Sequence, residues 1–252
     1  MNLTSVPVRL GDRSYPIVIA DSYNQLPRWL NERDLPKHAW VVSHPHLLAT
    51  HGGGLVPFLR RSGWHVETLT VPESETSKTF AVAQRLIDTL SRKSMMRIPL
   101  LMAFGGGVIG DLTGFVAAVF RRGVPYVQLP TTLLGQVDSA IGGKVGIDLP
   151  HGKNLVGAFY QPRLVWNNLA LLQTLPMRQR RSGLAEVIKY GAIHGGSLWT
   201  FLESHIDSCL AFTPAALRYM VEHSSRIKAR IVSRDEREER GDRLSLNFGH
   251  TI

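Results

Sequence analysis

The sequence predicts an α/β fold in which a doubly wound parallel sheet precedes a smaller all-α part. Three observations predict it. Strand-like and helix-like runs alternate over roughly the first two thirds of the chain, the order that builds a parallel sheet with helices on its faces. The apolar run Ile98-Pro-Leu-Leu-Met-Ala-Phe104 passes directly into Gly105-Gly-Gly-Val-Ile-Gly-Asp111, a buried strand entering a turn free of side chains. After Leu175-Pro176 only helical spacing recurs. The implied division is 1–175 for the sheet domain and 176–252 for the helical one.

Taken in order, Val6, Val8 and Leu10, then Ile17 and Ile19, alternate as in a β-hairpin turning near Gly11-Asp12. Ala39–Ser43 is apolar enough for a buried strand, with a helix expected from about Leu55 to Ser62. His65–Val71 is the next strand. Thr79–Ser91 then places Phe80, Ala83, Leu86, Ile87 and Leu90 at helical spacing. The glycine turn leads into a helix expected over Asp111–Phe120, and Tyr126–Leu129 is a further strand. Ser182–Ile193, Leu198–Leu210 and Pro214–Ser233 are the expected helices of the second part. The closing residues Phe248-Gly-His-Thr-Ile252 lack the polar character of an ordinary terminus, so the chain is expected to stop within an element.

The 252 residues are 44% hydrophobic and 19% charged, the balance of a soluble globular protein with a substantial core. Net charge is +9, yet no block of like charges marks a nucleic-acid surface. The densest cluster, Arg226 to Arg243, alternates in sign as a solvated helix face does. The surplus therefore favours small anionic substrates. Cys209 is the only cysteine, which excludes an intrachain disulfide and suits a reducing cytoplasm. No signal peptide and no run of membrane-spanning length is visible, so a cytoplasmic location without membrane association is expected.

Glycines lack Cβ atoms, so the backbone of a Gly105–Gly107 turn can approach a ligand closely, and free N–H groups at the following helix start favour an anion. Strand, turn and helix together read as a phosphate or pyrophosphate cradle. Thr131-Thr132 follows the next strand, where open α/β sheets place ligands. Gly142-Gly-Lys144 and Gly152-Lys-Asn154 pair glycine with a cation, as an anionic ligand requires, or are surface loops. Neither lysine has the Walker spacing, which argues against a P-loop nucleotidase. Glu186 and Lys189 share a helix face, either as an ordinary surface pair or with Glu186 joining His250 as a metal ligand. His44, His46 and His51 precede or open His51-Gly-Gly-Gly54, but no Gly-x-Ser-x-Gly elbow accompanies that motif, and they read as loop residues.

These segments resemble, in order, those of the 3-dehydroquinate synthase family. The resemblance is carried by Gly105-Gly-Gly-Val-Ile-Gly-Asp-Leu-Thr-Gly-Phe115, Arg122-Gly-Val124, Pro130-Thr-Thr-Leu-Leu134, Gln136-Val-Asp-Ser139, Gly142-Gly-Lys144, Gly152-Lys-Asn154 and Gly157–Pro162. Ser182-Gly-Leu-Ala-Glu-Val-Ile-Lys-Tyr-Gly191, Asp235-Glu-Arg-Glu238 and Leu246-Asn-Phe-Gly-His-Thr251 continue it over nearly the whole chain.

The resemblance implies conversion of 3-deoxy-D-arabino-heptulosonate 7-phosphate to 3-dehydroquinate and phosphate in the shikimate pathway of aromatic amino acid biosynthesis. It implies catalytic NAD+ and a divalent metal, Zn2+ or Co2+. Nucleotide contacts carry over to Glu73, Ser74, Glu75, Thr76, Ser77 and Lys78, to Gly107, Val108, Ile109, Gly110 and Asp111, and to Thr131 and Thr132. Lys144, Lys153, Leu171, Leu172, Gln173 and Thr174 complete that set. Substrate contacts carry over to Arg122, Asp138, Lys144, Lys153, Asn154, Lys189, Lys228, Arg243 and Asn247, and metal ligands to Glu186 and His250.

Glu73-Ser-Glu75 stands where the family usually has Asp-Gly-Glu. The family's third metal-ligand histidine would fall beyond Ile252, so a chain ending there is expected to keep NAD binding with weakened metal affinity and little activity. A homodimer is the expected assembly. The competing readings are a 2-deoxy-scyllo-inosose synthase-like cyclase, a related metal-dependent alcohol dehydrogenase, and a remnant that only binds nucleotide.

Overall fold

The computed structural model describes residues 3–249. It begins with the hairpin of β1 (Thr4–Val8) and β2 (Tyr15–Ala20), turned with Gly11 at φ 61°. Helix α1 (Leu26–Asn31) leads to β3 (His38–Ser43), a short helix α2 (Pro45–Leu47), a wide turn over Leu48–Gly52 and α3 (Gly53–Arg61). Then follow β4 (His65–Thr70), α4 (Phe80–Lys93), β5 (Leu100–Gly105), α5 (Gly107–Val119) and β6 (Tyr126–Pro130). The ribbon of β7 (Lys144–Leu149) and β8 (Gly152–Phe159) precedes β9 (Val165–Asn168). Helices α6 (Met177–His194), α7 (Gly196–Ser204), α8 (Ile206–Leu210) and α9 (Pro214–Arg234) make up the second part.

Seven strands form one sheet in the order β1-β2-β9-β6-β5-β3-β4, parallel except for the β1–β2 pair. Chain order runs outward from β3 to β4 and then jumps back to β5 on the other side of β3. That reversal is a topological switch point, and the crevice outside the carboxyl ends of β3 and β5 is where such sheets receive ligands. The central strands β5, β6 and β9 are buried along their whole length, as helices on both faces require. Val6, Val8, Ile17 and Ile19 of the hairpin share a core with Leu184, Val187, Met220 and Val221 of α6 and α9, so the helical part packs on this end of the sheet.

Three sequence expectations are corrected here. The helix after the glycine turn starts at Gly107 rather than Asp111. Glycine is a poor helix former, but the glycines of α5 are held by packing: a Cβ on Gly114 would lie 2.3 Å from Val145 Cγ1, and one on Gly110 2.9 Å from Gln128 Oε1. The expected helix 198–210 is broken at His205, whose φ of −131° ends α7 and opens α8. The Gly-Lys segments at 144 and 153 lie in strands of the β7–β8 ribbon rather than in loops.

Candidate active site

The first of two adjoining cavities, 630 Å³ in volume, sits at the switch point. Gly106, Gly107 and Val108 form its floor. No side chain caps the start of α5, and a Cβ on Gly106 or Gly107 would press on Thr132 Cγ2 at 3.2 Å or Ser139 Oγ at 3.3 Å. A cradle that only glycine leaves open, under an uncapped helix start, fits a pyrophosphate. Glu73, Ser74 and Glu75 line one wall, Thr131 and Thr132 another, and Leu171 and Thr174 a third. Of the other residues assigned to the nucleotide, Ile109 and Leu172 are buried in cores, Gly110 packs on Gln128, and Gln173 donates to the Phe212 carbonyl at 3.0 Å. Thr76, Lys144 and Lys153 do not line this cavity, and Ser77 donates to the Pro72 carbonyl at 2.8 Å.

His44, His46 and His51 do line it, which corrects their reading as ordinary loop residues. His44 Nδ1 lies 3.0 Å from the Val71 carbonyl, and His51 Nε2 3.1 Å from Thr174 Oγ1. The signal that would have found them is position: they directly follow β3, one of the two strands at the reversal.

The second cavity, of 650 Å³, lies between the β7–β8 ribbon, α5 and the helical part. Asp111, Asp138, Lys144, Asn154, Lys189, Lys228, Arg243 and Asn247 all line it. Residues spread from 111 to 247 thus meet in one place. Lys153 is exposed and pairs with Glu75 at 3.4 Å outside it, and Arg122, exposed with φ 64° after α5, does not reach it. His250 lies outside the described residues.

Three polar clusters organise this cavity. Buried Lys78 donates to Asp111 Oδ2 at 2.8 Å and to Asn154 Oδ1 at 2.6 Å, bridging α5 to the ribbon. Burial raises the Asp111 carboxyl to about 6 in spite of that ammonium, and the Asp138 charge adds to the rise. Asp138 accepts from Tyr190 Oη at 2.8 Å and from Lys228 Nζ, which also bonds the Asp138 carbonyl at 2.8 Å. Burial alone would raise the Asp138 carboxyl, but the charge and hydrogen bond of Lys228 outweigh it and hold it below its ordinary value. Burial lowers the Lys228 ammonium, with Asp138 opposing.

The third cluster is on α6. Glu186 and Lys189, both buried, form an ion pair, so the surface-pair alternative is corrected. Lys189 also donates to the Leu246 carbonyl at 2.6 Å, tying α6 to the 3₁₀ turn Asp242–Asn247. Arg243 is buried, donating to the Glu236 carbonyl at 2.7 Å; Gly142 (φ 104°) makes room, since a Cβ there would lie 2.8 Å from Arg243 Nη2. Lys144 pairs with Glu238 at the rim.

A glycine-floored crevice at the switch point, beside a cavity lined by lysines, an arginine and carboxylates, fits an α/β enzyme that handles a small anionic substrate next to a nucleotide. The family model described as 3-dehydroquinate synthase N-terminal matches residues 68–182, and the one described as 3-dehydroquinate synthase C-terminal matches 183–252. A curated 3-dehydroquinate synthase of Desulforamulus reducens is 44% identical over 249 residues, covering 98% of this chain and 69% of that protein. The chain belongs to the 3-dehydroquinate synthase family. Among solved structures, 2-deoxy-scyllo-inosose synthase complexed with carbaglucose-6-phosphate, NAD+ and Co2+ is 25% identical with a TM-score of 0.84, covering 98% of this chain and 68% of that one. The 2-epi-5-epi-valiolone synthase of Streptomyces hygroscopicus subsp. jinggangensis 5008, with NAD+ and Zn2+ bound, is also 25% identical with a TM-score of 0.84, covering 94% and 66%.

Proposed function

We propose that the chain is a 3-dehydroquinate synthase that turns 3-deoxy-D-arabino-heptulosonate 7-phosphate into 3-dehydroquinate and inorganic phosphate. The observation that carries the reading is the meeting of Lys144, Lys189, Lys228 and Arg243 in the second cavity, a basic receptacle for a substrate bearing both phosphate and carboxylate. The 44% identity to a dehydroquinate synthase, against 25% to the cyclases, favours this substrate over theirs.

NAD+ fits the first cavity by its glycine cradle. A divalent metal, Zn2+ or Co2+, suits a buried carboxylate with an imidazole, and Glu186 with His250 would hold it. Together the two supply transient oxidation of a secondary alcohol and Lewis-acid polarisation of it. The chain's own residues do the rest. Glu73–Glu75, Gly107, Val108, Thr131, Thr132, Leu171 and Thr174 orient the nucleotide. Lys144, Lys228 and Arg243 bind the substrate's anionic groups, and Asn154 and Asn247 bond its hydroxyls. The ionised Asp138 fixes the Lys228 ammonium beside the reacting carbons, and the Lys78–Asp111–Asn154 bridge sets the spacing of the ribbon and the nucleotide cavity. We assign residues 1–175 to nucleotide binding and 176–252 to metal and substrate.

The test is phosphate release from 3-deoxy-D-arabino-heptulosonate 7-phosphate with NAD+ and Zn2+ or Co2+ each omitted in turn. Release that needs both supports the reading. NADH accumulating without phosphate release would overturn it.

A further inference from the structure

At the opposite end of the sheet from both cavities, three potential ligands converge that the reaction does not use. His38 opens β3 and His65 opens β4, and the two are register partners on neighbouring parallel strands. Glu67, two residues after His65, is on the same face of β4. His38 Nε2 lies 3.3 Å and His65 Nε2 3.8 Å from the same Glu67 oxygen, Oε1, and one ligand atom from each of the three falls within 4.8 Å of the others. Among the described residues this is the group of histidine, cysteine and carboxylate side chains with metal-binding spacing.

The geometry points to a second divalent-cation site here, of the zinc and cobalt class, with ligands His38, His65 and Glu67. Two imidazoles and a carboxylate are a donor set such ions accept, and tetrahedral bonds of about 2.0–2.2 Å bring ligand atoms to roughly 3.3–3.5 Å apart. The His38–Glu67 separation already has that value. The His65 side chain is 68% exposed, so its ring closes the remaining gap by rotating in solvent. Glu67 keeps its other oxygen for Lys93, whose ammonium lies 3.2 Å from Oε2 and fixes the carboxylate orientation as an outer-shell partner does. One carboxylate oxygen faces two imidazoles and lies within hydrogen-bond reach of one. A cation engages all three groups at once and clamps the edge strand β4 to β3. Arg92, Lys93 and Arg97 border the pocket, and their charges hold its affinity below that of a closed four-ligand site.

His38 and Ser43 are the two ends of β3, about 17 Å apart at 3.3 Å per residue, so the site is separate from the one proposed to include Glu186. The experiment uses the untagged, chelator-stripped full chain carrying Glu186→Ala, titrated with Zn2+ by calorimetry and with Co2+ by visible absorption. One equivalent is expected to bind, with a rise in melting temperature on adding Zn2+. Adding His65→Ala, at a solvent-exposed side chain, is expected to weaken that affinity at least roughly 100-fold and abolish the thermal shift. Glu67→Gln, which keeps hydrogen bonding, is expected to weaken it in the same direction. No binding in the Glu186→Ala chain, or binding unchanged by His65→Ala and Glu67→Gln, would overturn the assignment.

Discussion

Replacing Lys228 by methionine tests the polar centre of the second cavity. Its side chain is 7% exposed and that of Asp138 25%, so the variant leaves a largely buried carboxylate with Tyr190 as its remaining side-chain donor. Stranding one partner of a buried pair costs about 3–5 kcal/mol, whereas removing both often costs far less. Chemical denaturation at pH 7.5 of Lys228→Met, Asp138→Asn and the double variant should therefore give a coupling of about 2 kcal/mol or more. The sign with pH also follows. In the native chain the Asp138 carboxyl is held below its ordinary 3.8, so the stability it contributes is present above that value and is lost as pH falls. In Lys228→Met, burial raises the same carboxyl, so its penalty fades as acid protonates it. The second trend makes the cost of the substitution shrink between pH 7.5 and pH 4, and the first adds to it below that range. Strict additivity of the two substitutions, or a cost that grows in acid, would refute the reasoning.

Other expectations test the remaining parts. Gly114→Ala places a methyl 2.3 Å from Val145 Cγ1 and should cost about 1–2 kcal/mol in a denaturant melt, overpacking outweighing the gain in helix propensity. Gly106→Ala meets only Thr132 Cγ2 at 3.2 Å, so its stability loss should be small while NAD+ affinity in calorimetry falls by roughly tenfold or more as the cradle narrows. Asp111 titrates at about 6 when folded against an ordinary 3.8, so ionising it costs stability that is absent at low pH and complete above about pH 6. Relative to Asp111→Asn, the native chain should lose up to about 3 kcal/mol between pH 4 and pH 7, trimmed by screening because a fifth of the side chain is exposed.

Much of the sheet domain was legible because its signals are local. The apolar run ending at Phe104 and the glycines after it specify strand, cradle and helix within one stretch. The β7–β8 ribbon was not, since its strand character rests on Val145 and Ile147 packing under α5 while its glycines and lysines read as loop. Helix α5 begins four residues earlier than propensity suggests because tertiary contacts hold Gly107 and Gly110. The second cavity was invisible to spacing: Asp138 meets Lys228 from 90 residues away, and Lys78 meets Asn154 from 76. Resemblance named those residues; the fold explains why they belong together. It also moved the histidines after β3 into the nucleotide cavity, a placement that follows from strand order rather than from any motif.

In the proposed reaction the chain borrows a hydride and returns it while expelling phosphate. The most direct measurement follows phosphate, 3-dehydroquinate and NADH together, using 3-deoxy-D-arabino-heptulosonate 7-phosphate deuterated at the carbinol carbon that is oxidised. Equimolar phosphate and 3-dehydroquinate, deuterium kept in the product and no net NADH are the predicted result. NADH accumulating in step with substrate consumption, or deuterium lost to the nucleotide pool, would contradict it.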